Sequence, residues 1–146
     1  MNGVSLTSYK VVAPREFAYV SDTSRRGDKM ALAYNSGNTE ILISSIYSVF
    51  RSKDEEVLLP EYLYLYFCRP EFDRYTRFNS WGSARETFDF SEMKRVQIPV
   101  PPIDMQRSIA AVAHCLEEAR KIVRDTREQM KNLCPALVQK AAHSAA

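Results

Sequence analysis

The residues best suited to chemistry in this 146-residue chain form one acidic set and one basic set. The acidic set is Asp89 with Glu92-Met93-Lys94, which has the outline of a D…E-x-K metal site. No second acidic ligand is placed by spacing, and an E-x-K tripeptide arises often by chance. His114 and His143 have no nucleophile at a useful separation. The chain has no Walker loop, no G-x-G-x-x-G, no H-E-x-x-H and no N-P-P-Y-type pocket for a target base. No enzymatic activity is therefore expected, and no metal. The basic set is Arg25, Arg26 and Lys29 in a polar loop, where such side chains either meet phosphates or simply stay solvated. A second polar run, residues 79–85, offers donors from Ser80, Ser83 and Arg85 beside Gly82.

The elements that must position these groups change character near residue 60. Before it, short β-rich runs cover residues 9–13, 16–20, 30–34, 41–43 and 46–50. Pro14-Arg15, Asn35-Ser36-Gly37-Asn38 and Ser44-Ser45 punctuate them, which predicts a small sheet, antiparallel or mixed. Pro60 suits a helix's first turn, and Tyr62, Leu63, Tyr66 and Phe67 recur at helical spacing until Pro70. Residues 71–78 read as a second short helix whose apolar contacts are Phe72, Tyr75 and Phe78. Trp81 reads as a lid on the core. Residues 88–93 read as a single helical turn capped by Asp89 or Ser91, leading into a strand over 96–98.

Beyond that strand, Pro99, Pro101 and Pro102 forbid a helix before Ile103. Asp104 is the expected N-cap, and the helix runs over 104–132, roughly 42 Å at 1.5 Å per residue. Along it, Ile109, Val112, Leu116, Ala119, Val123, Thr126, Met130 and Leu133 alternate spacings of three and four, which is a heptad seam. The other faces carry charge. The seam either covers the chain's own domain or pairs with another helix, and pairing is the reading favoured here. Pro135 ends or kinks the helix, with a short extra turn over 135–142 and a frayed tail. The fold class is thus α+β: a small mixed or antiparallel sheet domain with short helices (1–102), then one long C-terminal helix and tail (103–146) projecting as a coiled-coil arm.

Bulk properties exclude more than they identify. With 45% hydrophobic and 26% charged residues the chain is ordinary in composition. No run approaches a membrane span, and the N-terminus lacks the pattern of a signal peptide. Cys68, Cys115 and Cys134 are scattered without a C-x-x-C, which suggests reduced cytoplasmic thiols. Residues 1–102 hold 13 Lys+Arg against 13 Asp+Glu, and residues 103–146 hold 7 against 5. Net charge alone would not suggest a nucleic-acid partner.

The ordering of motifs resembles one half of the DNA-specificity subunit of type I restriction–modification systems. The residues that carry it are Tyr9-Lys10-Val11-Val12, Phe17-x-Tyr19, Ser44-Ser45-Ile46-Tyr47-Ser48-Val49-Phe50, Pro60-x-Tyr62-Leu63 and Gly82-x-x-Arg85. The most specific is Ile98-Pro99-Val100-Pro101-Pro102-Ile103-x-x-Gln106-x-x-Ile109. Met105 stands before Gln106 where that family often has glutamate.

The resemblance implies a target recognition domain that reads half of an interrupted site in double-stranded DNA. Its long helix would act as the spacer. It also implies a methylation subunit, and in some assemblies a restriction subunit, as partners. S-adenosylmethionine would be bound by the methylation subunit and no cofactor by this chain. Because only one unit is present, two-site recognition requires a homodimer through the seam. Relative to the family, several dozen N-terminal residues with early DNA-facing strands are expected to be missing. The DNA contacts expected are Arg25, Arg26, Lys29, Ser80, Ser83 and Arg85, with Asn35 and Asn38 as turn residues that could also read adenine. Arg85 could instead tie its loop to the Asp89 turn. The competing function is a truncated interaction module that binds methylation or specificity subunits without reading DNA.

Overall fold

Prolines start two of the helices, and one turn of backbone strain separates the first two strands. A computed structural model describes residues 9–22, 30–82 and 86–144. Its elements are β1 (Tyr9–Val12), β2 (Phe17–Val20), β3 (Ala31–Tyr34), β4 (Ile41–Ser44), β5 (Ser48–Phe50), α1 (Pro60–Phe67), α2 (Pro70–Phe78), α3 (Phe90–Met93) and α4 (Ile103–Ser144). The class is α+β, with every strand pair antiparallel. The chain divides into two compact units, Met1–Arg107 and Ser108–Ala146. The division falls one helical turn beyond the 102/103 boundary, because the first turn of α4 is tied to the residues around it.

Among the described residues the strands form two small sheets instead of one. β1 pairs with β4, Tyr9 opposite Ser44 and Val12 opposite Ile41. β2 lies between β3 and β5, with Phe17 opposite both Tyr34 and Phe50. All four residues of β2 are buried, as expected of a central strand covered on both faces. β1 and β2 do not pair with each other across Pro14-Arg15. Arg15 takes a φ of 67°, a left-handed conformation costly for a residue with a Cβ. Several contacts hold it there. Its amide donates to the Asn35 carbonyl at 2.8 Å. Its guanidinium reaches Glu55 at 2.7 Å and Glu61 at 2.8 Å.

The core gathers Phe17, Tyr19, Leu63, Phe67, Phe72, Phe88 and Met93. Its rings meet tilted, stacked or edge-on, with Phe17 and Phe50 centroids 5.0 Å apart and Phe67 and Phe72 at 4.8 Å. Such pairs add to simple area burial. The Tyr19 hydroxyl is buried with no hydrogen-bond partner among the described residues.

Several expectations need correction. Residues 96–98 form no strand. The Tyr66 hydroxyl donates to the Gln97 carbonyl at 3.2 Å, and the Tyr62 hydroxyl donates to the Pro99 carbonyl at 2.9 Å. Side chains thus take backbone acceptors that a neighbouring strand would have used. Phe72 is a core residue, but Phe78 is 81% exposed, and Trp81 at 69% is no lid. The α4 helix starts at Ile103, so Asp104 sits inside the first turn, where its charge still suits the helix dipole. Pro135 lies within α4 and does not end it.

Candidate nucleic-acid interface and helix seam

The described residues that border the two polar runs picked out by sequence lie side by side. Asp22, which precedes residues 23–29, bridges Thr87, and Thr87 also bridges Trp81. The Phe88 amide donates to the Ser21 carbonyl at 2.9 Å. On the far side of the first loop, the Met30 amide donates to the Asp73 carboxylate on α2 at 3.1 Å. The described residues bordering both loops therefore meet beside α2. Arg25, Arg26, Lys29, Ser83 and Arg85 themselves lie outside the described residues. Gly82 has a φ of 144°, a backbone region that side-chain-bearing residues rarely enter.

The remaining sequence-picked contacts separate into structural and exposed residues. The Asn35 side chain is buried: its Nδ2 donates to the Val12 carbonyl at 3.1 Å and to the Thr39 carbonyl at 2.9 Å. Its Oδ1 accepts from the Gly37 amide at 3.1 Å. With its amide hydrogens committed to the carbonyls of Val12 in β1 and Thr39, Asn35 is withdrawn from the candidate interface. Asn38 is exposed on the same turn. The Ser80 hydroxyl donates to the Thr76 carbonyl at 2.6 Å, closing the end of α2. Ser80 is half-buried. Sequence reading missed Arg74, Arg77 and Phe78, which with Glu86 line a shallow depression at the end of α2. Their spacing along one helix, beside a loop with Ser80 and Trp81, was the available signal.

The acidic set is structural. Asp89 caps α3, accepting from the Ser91 amide at 2.5 Å and the Glu92 amide at 3.3 Å. Hydrogen bonding from the Ser91 hydroxyl, then from the Ser91 amide, holds its carboxyl below the ordinary carboxylate range. Glu92 pairs with Arg95 at 2.9 Å, and Lys94 lies over the Phe90 ring. Among the described residues no group of His, Cys, Asp or Glu is arranged to hold a metal ion. Elsewhere, burial pushes the Tyr34 phenol well up, reinforced by its hydrogen bond to Glu61. The Arg15 guanidinium is raised: burial opposes this, but the Glu55 and Glu61 carboxylates outweigh it.

The root of α4 is built around Gln106, which is 0% exposed. Its Nε2 donates to the Val57 carbonyl at 2.9 Å and the Pro101 carbonyl at 2.8 Å, and its Oε1 accepts from the Leu59 amide at 2.9 Å. Leu59 is the residue just before α1, so one side chain joins the start of α4 to the start of α1 and to the proline hinge. Within the second unit, by contrast, the apolar seam positions are open. Exposure rises from 40% at Ile109 to 71% at Val112, with Leu116, Val123, Met130 and Leu133 between. Ala119 and Thr126 are exposed as well.

No described helix is long and apolar enough to cross a membrane. A search of curated proteins found no match to this chain. The family of type I restriction modification DNA specificity domains matches it over residues 14–132. That span takes in the turn at Arg15, the Gln106 hinge and nearly the whole seam, and the chain belongs to this family of specificity domains.

Proposed function

We propose that this chain is a non-catalytic half-specificity subunit of a type I restriction–modification system. Two copies pair antiparallel through Ile109, Val112, Leu116, Ala119, Val123, Thr126, Met130 and Leu133. The pair directs a methylation subunit, and through it a restriction subunit, to an interrupted DNA site. A two-fold pair places identical readers on related half-sites, so the target is symmetric. DNA contacts come from Arg25, Arg26, Lys29, Asn38, Ser80, Ser83 and Arg85. S-adenosylmethionine sits on the methylation subunit, and the assembly works in the cytoplasm. One observation carries this reading: a chain of the DNA-specificity family bears a regular apolar seam exposed along its terminal helix.

Co-purification with the cognate methylation subunit, followed by mapping of methylated bases, tests it. A symmetric bipartite pattern is expected, and an asymmetric or uninterrupted one would defeat it. A second reading draws on Phe78 and Trp81, large exposed aromatics of the kind enriched at protein interfaces. In that reading the chain is an adaptor that binds methylation or specificity subunits without reading DNA. Binding to site-containing and random duplexes across a salt series separates the two, because an adaptor shows neither sequence preference nor a steep salt dependence.

A further inference from the structure

Around α4 the side chains sort by chemistry. At 3.6 residues per turn, Arg120, Arg124, Arg127 and Lys131 fall within about 60° of one another and extend roughly 16 Å along the axis. All four are exposed, and together with Ala119, Val123 and one carboxylate, Glu128, they line one shallow groove in which cations outnumber the acid four to one. Arg120 pairs with Glu117 at 2.6 Å and Lys131 with Glu128 at 2.7 Å, while Arg124 lies 3.8 Å from Asp125. Arg127 has no hydrogen-bond or ion-pair partner among the described residues. Exposed pairs of this kind hold their cations weakly, so the whole stripe is available to an outside anion.

The position of the stripe matters more than its charge. It borders the apolar seam on one side only, and the other flank carries Cys115, Ile122 and Gln129, none of them charged. Antiparallel pairing sets like flanks against each other, so the arginines of both copies would line a single edge. Their mutual repulsion is relieved by a linear array of negative charges laid along that edge. Arginine's fork suits phosphate in particular.

We propose that this stripe is a sequence-independent contact for the phosphate backbone of duplex DNA, formed by α4 and distinct from the recognition loops. The proposal rests on the reading of the chain as a DNA-specificity subunit, and the experiment keeps the two apart. The full-length chain and its Arg124→Gln/Arg127→Gln/Lys131→Gln variant are titrated with site-containing and random duplexes from low to moderate salt. Glutamine keeps the helix propensity of the residues it replaces. The pair loses three phosphate contacts per copy, six in all, so the slope of log affinity against log salt should flatten by up to about 5.4. Random-duplex affinity should fall while the ratio between the two duplexes stays fixed.

The variant's self-association should also tighten at low salt, because like charges have been removed from the shared edge. A wild-type chain with a stripe-dependent slope and no sequence preference upholds the stripe and sinks the specificity reading. A sequence preference with an unchanged slope in the variant overturns the stripe alone. Absence of duplex binding by the wild type, or a stripe that captures only acidic protein, overturns it too.

Discussion

Gln106 and Leu116 belong to the same helix, yet Gln106 is 0% exposed with its amide fully engaged while Leu116 is 51% exposed. A polar side chain is buried where the helix begins, and an apolar one is open further along. The inversion has a physical reading. The start of α4 is completed inside its own chain, whereas the seam beyond Arg107 buries little apolar surface without another helix. The first region should therefore answer to folding and the second to association.

Substitutions in the two regions should break different things. Gln106→Leu leaves the Leu59 amide and the Val57 and Pro101 carbonyls without the partners they have now. Stranding fully buried groups costs on the order of 1–3 kcal/mol each, and these groups are partly buried, with Val57 open to water. A drop of about 2–3 kcal/mol is expected in urea unfolding of the first unit, the largest of the effects expected. A midpoint close to wild type would show that Gln106 does not clamp the hinge. Leu116→Asp should do the opposite. It puts a charge on the seam and should leave the protein monomeric at concentrations where the wild type sediments as a dimer. Unfolding of the first unit should shift by less than about 0.5 kcal/mol, as for other exposed positions. A wild type that stays monomeric throughout a concentration series would remove the pairing itself.

The same contrast marks what could be read from the residues. Features with local causes were legible: Pro60 opens α1 because a first-turn residue needs no amide hydrogen, and Pro70, read as the end of that run, also opens α2 for the same reason. Likewise Asn35-Ser36-Gly37-Asn38 makes the turn after β3, and Asp89 caps α3. Features decided at a distance were not. Nothing near residues 96–98 reveals that Tyr62 and Tyr66 claim the carbonyls of Pro99 and Gln97. Nor does the sequence reveal that β1 leaves β2 to pair with β4, or that the Arg15 turn between them is held by Glu55 and Glu61, far along the chain. Phe78 and Trp81 follow the apolar pattern of core residues and lie outside the core. Pro135 breaks the local rule for a helix interior, and α4 continues through it. At the candidate interface, sequence picked out loops whose bordering residues meet at Thr87, but it missed the arginines of α2 beside them.

Tyr19 sharpens the contrast from within the folded unit, because its buried hydroxyl is the opposite of the saturated Gln106 amide. Tyr19→Phe removes a polar atom that has no partner and should raise stability by about 1 kcal/mol, judged against the desolvation cost of a stranded hydroxyl. Urea denaturation of the two proteins checks it. A destabilised Phe variant would mean that the hydroxyl has a partner, such as a buried water.

The smallest effect expected belongs to Asp89, a polar group that is neither buried nor on the seam. Its carboxyl is held below the ordinary value by the Ser91 hydroxyl and amide. The charged form is therefore favoured in the folded chain more than in the unfolded one, where carboxylates titrate near ~3.9. The cap's electrostatic contribution is fully present above that unfolded value and is lost as pH falls through the lower, folded value. Asp89→Asn keeps an acceptor at the cap without the titration, and asparagine is a comparable N-cap. Thermal melts from neutral pH into acid should show wild type above the Asn variant at pH 7, with the gap closing below about pH 4. A gap of constant size across that range would mean that Asp89 caps α3 by geometry alone. Its charge would then add nothing to the turn that leads into the Gln106 hinge.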